Sequence, residues 1–162
     1  MAARETDKAF DVYRITRERY AEDLSGTGAR QYGGRWNSRG VPVVYAAEHR
    51  SLCLLEFLVR VPTDLPPADM CMVTIRIPSG LPVYDVGLTE LPSGWRGYPY
   101  DEFTHQMGDA LLKSGQYGMV RVPSAIVNQE YNCLIHPSAG PAGGVLVADV
   151  KPLYLDKRLF SV

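Results

Sequence analysis

Polar and apolar positions change period several times along the chain, and each change marks an element. Over residues 10–15, Phe10, Val12 and Arg14 fall on one face of an extended chain and Tyr13 and Ile15 on the other, which predicts a strand with an arginine on an apolar face. A second strand is predicted over 41–46, with Val41, Val43 and Tyr45 on one face. At 51–60 the period lengthens: Leu52, Leu55, Glu56 and Val59 recur at i, i+3, i+4 and i+7, the stripe of a helix, so Glu56 stands where a buried stripe would hold a hydrocarbon. Its charge therefore needs a partner or a use, and Arg14, Arg35 or a ligand can supply one.

Pro62, Pro66 and Pro67 end that helix, and strands follow over 70–77 and 81–86. Residues 87–100, rich in Gly, Pro and aromatics, show no regular period. A second helix is predicted over 101–113, with Phe103, Met107, Ala110 and Leu111 as its apolar stripe and Gly115 as its stop. Three short apolar runs, 118–122, 131–136 and 144–150, read as strands. The expected fold class is α+β, a single compact domain over 1–162 with its core at about 10–155. Mixed sheets of six or seven short strands and two principal helices are expected, with no internal repeat.

The stretch 25–40 (SGTGARQYGGRWNSRG) is too dense in glycine for a regular element, yet Tyr32, Trp36 and arginines are interleaved, so an ordered loop is expected. Glycines let backbone amides face an anion and a guanidinium offers paired hydrogen bonds, so Gly33, Gly34 and Arg35 read as a grip for a dinucleotide phosphate. The bland alternative for Arg35 is a surface ion pair, and for Glu56 a buried one. Tyr45 alone reads as core, and Ser124 as a turn hydroxyl. Gly26 and Gly28 lack the third glycine of a Rossmann fingerprint, and no phosphate-binding P-loop, zinc-protease or serine-hydrolase motif occurs.

A net charge of −1 argues against a broad nucleic-acid or membrane surface. No apolar run reaches the length of a membrane span and the first residues lack the core of a signal peptide, so a cytoplasmic protein is expected. Three scattered cysteines, Cys53, Cys71 and Cys133, suggest neither disulfides nor zinc and read as small buried hydrophobes. No metal is expected.

The order Arg14, Gly33-Gly34-Arg35-Trp36-Asn37, Tyr45, Glu56, Val122-Pro123-Ser124-Ala125 resembles the RES-domain family. These are toxins of bacterial toxin–antitoxin pairs with Xre-type antitoxins. Gly28-Ala29-Arg30, the spacing of Tyr45 and Glu56, Glu130-Tyr131-Asn132 and His136-Pro137 extend the likeness over essentially the whole chain. The resemblance implies an ADP-ribosyltransferase-like fold and NAD as a consumed substrate. It also implies Arg14, Tyr45 and Glu56 as active-site residues, with Ser124 as the family serine and Thr104 competing for its role. Gly34, Arg35, Trp36 and Thr104 would bind the dinucleotide.

The expected reaction is cleavage of the nicotinamide–ribose bond, with water or phosphate as acceptor. Glu56 would stabilise the oxocarbenium-like sugar, Arg14 and Arg35 would hold the pyrophosphate, Tyr45 would stack on or shape the nicotinamide pocket, and Ser124 or Thr104 would bond ribose or phosphate. Alternatives are ADP-ribosylation of a protein and a non-catalytic nucleotide-binding or interaction domain. The expected partner is an Xre-type helix-turn-helix antitoxin, with a homodimer within the complex left open. Contact with DNA would run through that partner, and no membrane is involved.

Overall fold

Eight strands rich in β-branched residues join in one sheet in the order β1-β5-β6-β7-β3-β2-β4-β8. In chain order they are β1 Ala2–Glu5, β2 Phe10–Arg17, β3 Val44–Ala47, β4 Met70–Ile77, β5 Pro82–Asp85, β6 Met119–Pro123, β7 Tyr131–Ile135 and β8 Leu146–Pro152. Three α-helices accompany them: α1 Thr27–Tyr32, α2 Arg50–Leu58 and α3 Glu102–Lys113. This computed structural model describes residues 2–62 and 67–160. Pro66, expected to help end the first long helix, lies outside them, as do residues 1, 161 and 162. No helix among the described residues is long and apolar enough to cross a membrane.

The class is α+β, as the sequence predicts, with two differences. One sheet replaces several, and it gains β1, whose four residues are too few to show a period. Within the glycine-rich stretch, α1 forms a single short helix between Gly26 and Gly33, both with positive φ. All strand neighbours are antiparallel except β5 and β6, and β2 meets β3 only at Tyr13 and Ala47.

Alternation along the strands fills both faces. One cluster joins Val12, Val73, Ile75 and Ile77 to Val83, Met119 and Ile135. Strands as distant in the sheet as β4 and β5 share it, so the sheet folds over on itself around these residues. On the opposite face Val43, Val120, Val122 and Leu134 pack with Trp36, Trp95 and Leu112 of α3, while Ala47 packs with Leu52 and Cys53 of α2. Tyr45 and Ala47, two apart on β3, therefore place both helices on one face.

Each helix buries a different stripe from the one its sequence predicts. In α2 the inward residues are Leu52 and Cys53, with Glu56 and Phe57 half-buried, whereas Leu55 is 41% and Val59 64% exposed. Only one side of α2 touches the sheet, and Glu56 lies at the edge of that side. In α3 the most buried positions are Thr104, Gly108 and Leu112; of the predicted stripe, Met107 and Leu111 are half-buried against the core, whereas Phe103 and Ala110 are exposed. Gly108 decides this register: a Cβ there would lie 1.8 Å from the Trp36 carbonyl oxygen, so the helix backbone rests directly on the 33–37 turn.

Candidate active site

Where β2 and β3 diverge beyond their single bridge, a cleft opens beside α2. It has two lobes, of about 230 Å³ and about 330 Å³, and Tyr45, Glu56, Arg60 and Asn132 line both. Arg14, Gly28, Cys53 and Phe57 belong to the first lobe. Arg35, Trp36, Arg96, Tyr98 and Tyr100 belong to the second. Each lobe is small for a dinucleotide, but together they fall in the size range of cofactor pockets. Glu56 stands where the lobes meet.

Its carboxylate is held through one oxygen. Glu56 Oε1 accepts hydrogen bonds from Asn132 Nδ2 at 2.6 Å and from Ser124 Oγ at 2.8 Å. The Ser124 hydroxyl is fully buried and accepts from the amides of Ile126 and Val127 at 3.1 and 3.2 Å, so its one proton goes to Glu56. Among the described residues no cation lies within ion-pair distance of Glu56, so neither Arg14 nor Arg35 neutralises it directly.

The turn at 33–37 is built by its asparagine. Asn37 is fully buried; its Nδ2 donates to the carbonyls of Ala29 and Val41 at 2.8 and 2.9 Å, and its Oδ1 accepts from Tyr45 Oη at 2.6 Å. Tyr45 Oη in turn accepts from the Trp36 amide at 3.1 Å. Both bonding directions of the phenol are thereby used, and burial raises its pKa well above the usual value, so its ring and not its hydroxyl is offered to a ligand. Gly34 permits this closeness, since a Cβ there would lie 2.7 Å from Tyr45 Oη.

Arg14 and Arg35 flank Glu56 from opposite lobes. Arg14 Nη1 donates to the Asp23 carbonyl at 2.7 Å. Arg35 Nη1 donates to the carbonyls of Trp95 and Gly97 at 2.7 and 3.0 Å, and its guanidinium lies 4.9 Å from the centre of the Tyr100 ring. Burial lowers the pKa of both; the fields of Tyr100 and then Glu56 oppose this for Arg35, and those of Asp23, Cys71 and Cys53 for Arg14. Of these two arginines, Arg35 is the one whose charge the field of Glu56 supports. The Cys53 thiol, one turn before Glu56, is pushed up to about 12 by burial and stays protonated, which excludes a thiolate nucleophile there.

Ser124 sits beside Glu56, lines neither lobe, and gives its hydroxyl proton to the carboxylate. Thr104, its competitor, is fully buried in the first turn of α3, where its hydroxyl donates to the Asp101 carbonyl at 2.7 Å; it lines neither lobe. Trp36 lines the second lobe but is 97% buried by packing that includes Trp95, ring centres 6.0 Å apart. Sequence reasoning named Asn132 only within the Glu130-Tyr131-Asn132 string, without a role, and missed Arg60, Arg96, Tyr98 and Tyr100. Arg60, four residues after Glu56, could have been found from helical spacing. Arg96, Tyr98 and Tyr100 lie in the stretch without a period.

Known proteins are similar to this chain along most of its length. The RES domain matches residues 11–156. A protein of Sphingobium sp. (strain YBL2) named "Prs ADP-ribosylating toxin" is 36% identical over 86% of this chain and 88% of its own length. A protein of Photorhabdus laumondii named "Toxin Res" is 40% identical over 79% and 82%. In three dimensions the chain is similar to one from the M. tuberculosis MbcT-MbcA toxin-antitoxin complex, with a TM-score of 0.73 and 22% identity over 92% of this chain and 86% of that one, a likeness of fold. With its residues 11–156 matched and relatives above 30% identity along most of their length, the chain belongs to the RES-domain family.

Proposed function

We propose that this chain is the toxin of a toxin–antitoxin pair and that it destroys NAD by cleaving the nicotinamide–ribose bond. One observation carries the reading. Glu56 stands at the junction of two lobes with both protein donors on Oε1, which leaves Oε2 to face a sugar.

When the bond breaks, nicotinamide leaves with the electron pair and becomes neutral, while positive charge develops at the ribose anomeric carbon. A carboxylate beside that carbon, undiluted by a salt bridge, lowers the barrier electrostatically. Arg14 and Arg35 have guanidinium edges for the pyrophosphate, and the ring of Tyr45 supplies a flat wall. Water or phosphate then adds to the anomeric carbon, and any proton it loses goes to solvent or to Glu56. Gly34, Trp36 and Asn37 act by holding the wall. No step calls for a metal.

The printed name of the Sphingobium relative favours a second reading, transfer of ADP-ribose to a protein. Incubating the pure protein with NAD, with and without phosphate or cell extract, and identifying products by mass spectrometry separates the two. Glu56→Gln, nearly isosteric but neutral, is expected to lower nicotinamide release at least about 100-fold while leaving the melting temperature unchanged or raised. Unaltered turnover in that variant would remove Glu56 from the mechanism. Expression of the chain alone should arrest growth and lower cellular NAD, and its antitoxin should restore both.

A further inference from the structure

We propose that Asn132 is a positioning residue for Glu56: it selects which carboxylate oxygen faces the sugar and keeps that carboxylate fixed without neutralising it. The proposal rests on the reading of Glu56 as the group that meets the reacting sugar.

Three observations carry it. Asn132 Nδ2 makes the shorter of the two bonds to Oε1, at 2.6 Å. Its backbone is pinned on both sides, since β7 pairs Asn132 with Val122 of β6 and with Ala47 of β3, so the amide cannot follow a wandering carboxylate. The side chain also lines both lobes, which puts it at the junction itself. Ser124 alone would leave Glu56 free to turn about a single hydrogen bond. Two donors converging on one oxygen fix the plane of the carboxylate, and Oε2 is left as the basic edge.

The neutrality of the donor matters as much as its position. An arginine in place of Asn132 would hold Glu56 equally well but cancel the field that the oxocarbenium-like state needs. The ionisable groups that line the lobes around Glu56 are Cys53 on α2, Arg60 just beyond its end, Tyr45 on β3, Tyr13 and Arg14 on β2, and Arg35, Arg96, Tyr98 and Tyr100 across the second lobe, while Glu48 and Glu130 flank the strands that hold Asn132. Among the residues that line the lobes Glu56 is the one carboxylic acid and none is a histidine, so a carboxyl group introduced at position 132 would have Glu56 as its hydrogen-bonded partner in titration.

Asn132→Asp therefore gives a signature that a general loss of structure would not. A carboxylic acid can donate to Oε1 only while protonated; once ionised it repels Glu56 and the bond is lost. The expected result is nicotinamide release that, relative to the wild type at the same pH, falls about tenfold or more between pH 5 and pH 8. Asn132→Ala should lower kcat by about 10- to 100-fold at every pH with KM changed by less than about threefold. Ser124→Ala added to it should cost less than it does alone, because both donors serve one oxygen.

A ratio flat with pH for Asn132→Asp, or wild-type kcat in Asn132→Ala, would overturn the proposal. A crystal structure of Asn132→Ala supplies the arm that needs no turnover. Displacement of the Glu56 carboxylate is expected, and an unmoved carboxylate would refute the positioning role. If the wild type released no nicotinamide but the carboxylate moved in Asn132→Ala, the reading of the reaction would fail and the positioning would stand.

Discussion

At the residue scale, the two arginines of the cleft differ in what surrounds them, and the difference predicts kinetics. Arg35 lies in the field of Glu56, whereas Arg14 lies in that of Asp23, whose backbone carbonyl it also bonds at 2.7 Å. The likeness to RES-domain proteins puts Arg14 first in order, but the electrostatics favour Arg35 at the reacting end. Arg35→Ala should lower kcat and kcat/KM together by about 10- to 100-fold, because the phosphate it grips would be the one that sets the ribose against Glu56. Arg14→Ala should raise KM by a similar factor and spare kcat, as loss of uniform phosphate binding would. Steady-state nicotinamide release over a range of NAD concentrations distinguishes them, and the reverse pattern would exchange the two roles.

At the element scale, α3 rests its backbone directly on the 33–37 turn because Gly108 carries no side chain where the helix meets the Trp36 carbonyl. Gly→Ala inside a helix ordinarily stabilises by up to about 1 kcal/mol. Here the new methyl has 1.8 Å of room against backbone, so overpacking should win. Gly108→Ala is expected to lose about 2 kcal/mol in urea denaturation and to weaken NAD handling, since Trp36 and Arg35 would shift with the turn. A neutral or stabilised variant would show that α3 does not seat the turn.

A second cross-element device lies outside the cleft. Arg4 of β1 donates to Asp85 of β5 at 2.6 Å, and Arg121 of β6 joins Asp85 at 2.9 Å to Glu48 beyond β3. Desolvation pulls the pKa of Asp85 up, but the bonds from Arg4 and Arg121 outweigh it and leave it below the usual value. A carboxyl whose pKa falls on folding stabilises the fold above its unfolded value of about 3.9, and that contribution vanishes as pH drops through the folded value. Asp85→Asn should therefore cost about 1–3 kcal/mol near pH 7, with the gap to the wild type closing below about pH 4. Denaturant midpoints across that range measure it, and a gap constant with pH would mean that the charge contributes nothing.

At the scale of the whole molecule, the cleft that would hold NAD is also the simplest place to restrain it. Four arginines, Arg14, Arg35, Arg60 and Arg96, line the two lobes against one carboxylate, Glu56, with the exposed Leu55 on α2 and the exposed Val59, which lines the second lobe, just past the end of that helix. An antitoxin segment with an acidic side chain or a carboxyl terminus would match that charge while its apolar residues met α2. Binding of antitoxin and NAD is thus expected to be mutually exclusive, and Glu56→Gln protein should still bind the partner. Calorimetric titration of NAD into the purified complex tests this; affinity equal to that of the free toxin would exclude occlusion.

The sequence by itself determined every strand but β1, the two long helices and the family, because those depend on period and on local strings such as Gly33-Gly34-Arg35-Trp36-Asn37. It also singled out Glu56, since a carboxylate at a helical apolar spacing is visible without coordinates. Tertiary structure alone decided which side of each helix is buried, because neither the glycine contact that sets α3 nor the cleft edge that frees one side of α2 leaves a trace in periodicity. It decided the partners of Glu56 as well: Ser124 and Asn132 lie 68 and 76 residues away along the chain, and only the pairing of β6 and β7 beside β3 brings them to one oxygen.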